Sequence, residues 1–152
     1  MSGIVAMVKV KPTKNILGNL KINNIMIDKS KSVDVFHKAF KIKTRSTPSL
    51  IPIEEWELRA KLIQEELDEY IQACKDGDLV EVADALCDMD FLINGGYSIH
   101  GLLEKEKGVF GEVFKSNMSK LDEDGNPIFR EDGKILKGKS YFKPNLKKIL
   151  NE

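Results

Sequence analysis

Apolar positions recur at helical spacing through the middle of this chain, and the pattern dissolves towards both ends. Val33, Phe36 and Phe40 share one face of a helix predicted over about 33–43, with Ser32 as its cap. Thr47-Pro48 and Ile51-Pro52 disfavour helix, so residues 44–52 read as a linker. A second helix is expected from about Ile53 to Lys75, closed by the turn Asp76-Gly77-Asp78. A third runs from about Leu79 to Asn94 and is expected to stop at Gly95-Gly96. It is apolar on nearly every side, as a central helix would be. A fourth covers about Leu103 to Leu121, with Val109, Phe110, Val113, Phe114 and Met118 as its stripe.

The flanks read differently. Residues 1–30 carry β-branched stretches broken by Pro12 and Gly18, which suggests an irregular arm or short hairpin. Beyond Leu121, Asp124-Gly125 and Asp132-Gly133 are turn dipeptides, and a small β-hairpin is expected at 127–136. A short amphipathic end follows at Leu146 to Leu150. The predicted architecture is all-α: a four-helix domain over 31–152, an accessory arm over 1–30, and a C-terminal hairpin and tail.

Composition narrows the function classes. The 152 residues balance 24 Lys and Arg against 24 Asp and Glu, so no global basic surplus points to nucleic acid or an anionic membrane. No apolar run reaches the ~20 residues of a membrane span. Cys74 and Cys87 lack metal or redox spacing and read as buried thiols in a reducing, cytoplasmic setting.

Within those helices the carboxylates are concentrated. Glu65, Glu66, Asp68 and Glu69 stand on the second helix, and Glu81, Asp84 and Asp88 on the third. At about 100° per residue, Glu66 and Glu69 border the apolar stripe while Glu65 turns partly away. Glu81, Asp84 and Asp88 fall within an arc of about 60°. The short turn at 76–78 makes the two helices antiparallel neighbours, so the clusters can face each other. Acids converging without lysine or arginine on the same faces repel one another unless a cation joins them. Oxygen donors alone favour magnesium or manganese. The bland alternative, exposed helix charge, suits Glu54, Glu55, Glu65 and Asp68 better than Glu66, Glu69, Glu81 and Asp84.

The pattern Glu-Glu-x-x-Glu at 65–69, followed by Glu-x-x-Asp at 81–84, resembles the signature of the all-α NTP pyrophosphohydrolases. That superfamily includes MazG-like proteins, dimeric dUTPases and phosphoribosyl-ATP pyrophosphohydrolases. Ser116-Asn117-Met118-Ser119-Lys120 and the segment from Gly125 to Phe142 resemble the phosphoribosyl-ATP pyrophosphohydrolase-like branch. The resemblance covers about 32–146. It implies hydrolysis of a nucleoside triphosphate, or a related nucleotide, to monophosphate and pyrophosphate. By the same resemblance Glu66, Glu69, Glu81 and Asp84 would hold magnesium, with manganese as a substitute. Asp88 would be a further or outer ligand, and Glu65 or Glu66 would accept a proton from the attacking water. Lys115, Asn117 and Lys120 are the substrate-binding candidates it suggests, and a homodimer or homotetramer is the assembly it implies.

Other residues carry weaker signals. Asn94 and Tyr97 are candidates for a base contact, against a core role for the tyrosine. His37 and His100 pair with no nucleophile and read as structural. Lys137 and Lys139 read as solvated tail charge. The arm's Lys9, Lys11, Lys14 and Lys21 give only a local basic bias. Two readings from other classes compete with the enzyme: a non-catalytic metal- or nucleotide-binding regulator, and a helical interaction module whose acids meet a partner's bases.

Overall fold

The computed structural model describes residues 28–151, and the arm's expected hairpin and its lysines lie outside that range. Helices are α1 (Lys29–Ala39), α2 (Ile53–Asp76), α3 (Leu79–Ile99), α4 (Glu106–Met118) and α5 (Leu146–Asn151), with a 3-10 turn at Leu103–Lys105. The all-α expectation holds, and the described residues contain no strand.

Local chemistry sets the helix ends. Asp28, not Ser32, caps α1 by accepting from the Lys31 N–H at 3.2 Å. At the α2–α3 turn, Gly77 adopts φ 69°, left-handed backbone that glycine takes without steric cost. The Asp78 carboxylate then accepts from Val80 N–H (2.9 Å) and Glu81 N–H (3.2 Å), starting α3 immediately. One residue therefore ends the first helix, and the next begins its antiparallel neighbour.

Helix α3 runs through Gly95-Gly96 to Ile99 instead of stopping at Asn94. Gly95 serves packing: a Cβ there would lie 2.7 Å from Arg59 Nη1 and 3.1 Å from the His37 ring. The linker then covers the open end of α3. Arg45 N–H donates to Ser98 O (3.2 Å), Arg45 Nη1 to Ile99 O (2.7 Å) and Ser49 N–H to His100 O (3.0 Å). The Arg45 guanidinium is also bidentate to Glu55 at 2.8 and 3.1 Å, tying the linker to the first turn of α2.

Helix α3 packs against α2 on one side and α1 on the other, whereas α4 packs mainly on the 3-10 turn and α5. Phe36 of α1 meets Phe91 of α3 edge-on, with ring centroids 5.1 Å apart. Buried apolar side chains among the described residues are few: Val33, Ile51, Ala73, Ala85 and Ile99. Large apolar groups stay outside, including Leu79 (79 % exposed), Val80 (75 %) and Phe110 (70 %). The α3 helix is thus central at its C-terminal end and open at its N-terminal end.

Two further expectations fail. The β-hairpin at 127–136 does not form: a single antiparallel bridge links Phe129 and Ile135. Both side chains are exposed, and a lone two-stranded ribbon with no face to bury is marginal in water. Cys74 and Cys87 are exposed, not buried, because each lies on an outward face of its helix.

Candidate active site

The antiparallel turn brings the two acidic clusters to one side of the α2–α3 pair. Glu66 is half-buried, while Glu65 and Glu69 beside it are exposed. Burial first, and then repulsion from Asp88, Glu69, Asp84 and Glu65, pushes the Glu66 carboxyl above its ordinary pKa. Burial, then Asp84, does the same to Asp88 on α3. Glu66, Glu69, Asp84 and Asp88 therefore act on one another across the two helices. Glu81 stands exposed in the first turn of α3 and is not among the charges acting on Glu66.

None of these acids has a basic partner. The ion pairs among the described residues involve Asp28, Asp34, Glu55, Asp90 and Asp132, and leave Glu65, Glu66, Glu69, Glu81, Asp84 and Asp88 unneutralised. As placed, no three His, Cys, Asp or Glu groups among the described residues are gathered closely enough to hold a metal ion. The side chains form a facing wall of carboxylates, not a closed cage. In donor chemistry this wall suits a hard cation, since it offers carboxylate oxygen and neither imidazole nor thiolate.

Beneath the acids, α2 is keyed to α3 by a feature that periodicity does not reveal. Arg59, two turns before Glu66, reaches across to donate from Nη1 to Leu92 O at 3.3 Å. His37 of α1 is buried against the same spot, only 2 % exposed, and its pKa is lowered by burial, then by Arg59. His37 Nδ1 and Arg59 Nε are buried without a hydrogen-bond partner. A second buried polar group joins α1, α3 and α4. The Ser30 hydroxyl meets Asn94 Oδ1 at 2.9 Å and also contacts the Glu106 carboxylate. The Asn94 amide donates to Asp90 O and Oδ1, at 2.7 and 3.0 Å, so Asn94 is engaged inside the fold and not held out for a base.

The remaining candidates sit elsewhere. Tyr97 lines an apolar cleft of about 330 Å³ with Ile93, Leu102, Val109, Leu146 and Leu150, beyond the acids towards the C-terminal end of α3. Lys115 is exposed in the last turn of α4, and Lys120 just past it donates from Nζ to Asn117 Oδ1 at 2.8 Å. His100 is structural, its Nδ1 2.9 Å from Ser49 O. The Asp122 side chain accepts from the Asp124 and Asn126 N–H groups, forming a local turn.

Comparison with known proteins places residues 33–117 within the family described as phosphoribosyl-ATP pyrophosphohydrolase. The matched segment spans all the acids and ends at Asn117. A solved structure from Exiguobacterium sp. 255-15, named provisionally as an NTP pyrophosphohydrolase, is similar at 25% identity. That match covers 80% of this chain and 91% of the other, with a TM-score of 0.37. No curated protein matches significantly.

Proposed function

Because the chain belongs to the phosphoribosyl-ATP pyrophosphohydrolase family, we propose that it hydrolyses a nucleoside triphosphate, or a related nucleotide, to the monophosphate and pyrophosphate with magnesium. The observation that carries this reading is the set of unneutralised carboxylates from two helices, with Glu66 repelled by Asp84 and Asp88. Glu66, Glu69, Asp84 and Asp88 would hold the cation, and Glu81 would join by rotating inward from the first turn of α3. Magnesium or manganese there supplies charge neutralisation for the phosphates and acidifies a water.

The chain's own residues do the rest. A water oxygen attacks a phosphorus of the α–β bridge, and the bridging oxygen leaves with its electron pair. The water's proton passes to Glu65 or Glu66. Glu66 is suited to that part by position, half-buried on the side of α2 that meets Asp84 and Asp88. Glu65, exposed on the neighbouring face, is free to accept from solvent-side water.

Assembly completes the proposal. Leu79, Val80 and Leu86 of α3 and Phe110 and Phe114 of α4 are exposed in one protomer, a large apolar surface for a folded domain. A homodimer burying these faces is the state we propose, and a homotetramer would extend the same principle. Pyrophosphate release from a nucleotide panel tests the reaction. Orthophosphate as the sole product would exclude it.

A further inference from the structure

Helices α3 and α4 line one apolar cleft yet scarcely pack on each other. Ile93 and Tyr97 of α3 form one wall. Val109 of α4 forms the other, together with Leu146 and Leu150 of α5. That second wall is firm, because a Cβ at Gly108 of α4 would lie only 3.1 Å from Ile149 Cγ2 of α5. The space between the walls is about 330 Å³, and no described residue fills it. A truncated core side chain leaves a void of roughly 150 Å³, so the cleft has room for about two large aliphatic groups. Apolar walls held apart over water forgo the burial that would join them.

The start of α1 opens onto this cleft. Lys29 pairs with Asp90 of α3 at 2.6 Å, and Asp28 with Lys107 of α4 at 3.8 Å. The Ser30 hydroxyl touches both helices at once, through Asn94 and Glu106. The chain therefore enters the described fold between α3 and α4. Ile93 is next in sequence to Asn94, and Val109 lies about one turn beyond Glu106, so the entry point is at one end of the cleft.

The residues leading up to that entry are apolar. Of the eight from Leu20 to Ile27, five are Leu20, Ile22, Ile25, Met26 and Ile27. The α3 wall from Ile93 to His100 rises roughly 10 Å, whereas eight residues can reach about 28 Å. The segment is long enough to turn back before Asp28 and still cover the cleft from end to end.

We propose that Leu20–Ile27 of this same chain occupies the cleft, with the run Ile25-Met26-Ile27 seated between α3 and the α4–α5 pair. Tethering favours this occupant over a second copy. Joined through Asp28, the segment meets the cleft at an effective concentration on the order of millimolar, while a second copy meets it only at the concentration of the protein. Seated there, the segment fastens α4 and α5 to the three helices that carry the acids. Neither the carboxylates nor a nucleotide takes part in the contact.

Thiol labelling of the full chain reads this contact. The two native thiols are exposed and are first replaced by Cys74→Ser and Cys87→Ser. Leu150→Cys should then react with a maleimide about tenfold more slowly than Phe129→Cys on the exposed tail. Ile25→Asp with Met26→Asp should abolish that protection, and dilution of the wild-type arm should leave it unchanged. Protection lost on dilution would assign the cleft to a second copy. No protection at all, or protection kept by the aspartate pair, would equally overturn the proposal. A cross-link needs no disruptive variant. Met26→Cys with Leu150→Cys should be joined by a short bismaleimide within one chain, and Met26→Cys with Phe129→Cys should not. A link formed only between chains, or equal yields from the two pairs, would contradict the docking.

Discussion

Glu66 on α2 and Asp88 on α3 face the same electrostatic problem: each carboxyl is lifted above its ordinary pKa by burial, and each is repelled by Asp84. A fold that merely needed these helices packed would place a lysine or an apolar group at one of these positions. The repulsion is a standing cost of the metal-free protein, and it is the kind of cost that a bound cation removes.

Relieving that cost should stabilise the metal-free chain. Glu66→Gln in EDTA at neutral pH is expected to raise Tm by a few °C. Magnesium or manganese should stabilise the wild type by about 2.7 kcal/mol at a hundredfold excess over Kd, raising its Tm, and should do much less for the variant. Thermal melts with and without metal check both. Metal that moves neither protein would count against the cation site and favour the helical interaction module.

His37 gives a pH dependence of defined sign. Its native pKa lies below the ordinary 6.5, so on acidification the unfolded chain takes up the proton first. Stability from this group is complete above pH 6.5 and declines as pH falls from there towards the lowered native value. Urea midpoints between pH 7.5 and 5.5 should drop in the wild type and flatten in His37→Asn. Glu66 and Asp88, with raised values, act in the opposite direction at lower pH and are common to both proteins, so the difference isolates the histidine.

Adjacent glycines should respond oppositely. Gly95→Ala drives a methyl against Arg59 and His37 and should cost about 1–3 kcal/mol. A Cβ at Gly96 meets nothing within 4 Å, and Gly96→Ala should be neutral or stabilising by up to about 1 kcal/mol from helix propensity. Denaturant midpoints of the two variants compare them directly. Equal effects would mean that the Arg59–His37 contact does not hold α3.

That contact marks the limit of what the residue pattern could convey. The helices around the acids were legible because their caps and apolar spacing are local: Asp76-Gly77-Asp78 announces both the end of α2 and the start of α3. Glu66 at the stripe edge and Asp88 within the second arc could be placed by rotation alone. Gly95-Gly96 misleads because glycine breaks helices when unsupported, yet here it makes room for Arg59, 36 positions earlier in the sequence. The Ser30–Asn94 link and the exposure of both cysteines depend equally on distant partners. The absent hairpin is the converse case, a sound turn signal at Asp132-Gly133 with nothing for its apolar side chains to cover.

The apolar surface left on α3 and α4 predicts association. Light scattering should give at least twice the chain mass of 17.2 kDa, and Phe110→Asp or Val80→Asp should reduce it. A monomer at micromolar concentration would contradict the proposed assembly.

The central claim is that the facing acids of α2 and α3 perform pyrophosphate-releasing hydrolysis. Product analysis of the full chain over a panel of nucleotides, with magnesium and with EDTA, tests it most directly. Equimolar monophosphate and pyrophosphate are expected from at least one nucleotide, abolished by EDTA and reduced by about a hundredfold or more in Asp84→Asn and Glu69→Gln that remain folded. Undiminished turnover in those variants, or orthophosphate as the only product, would contradict it.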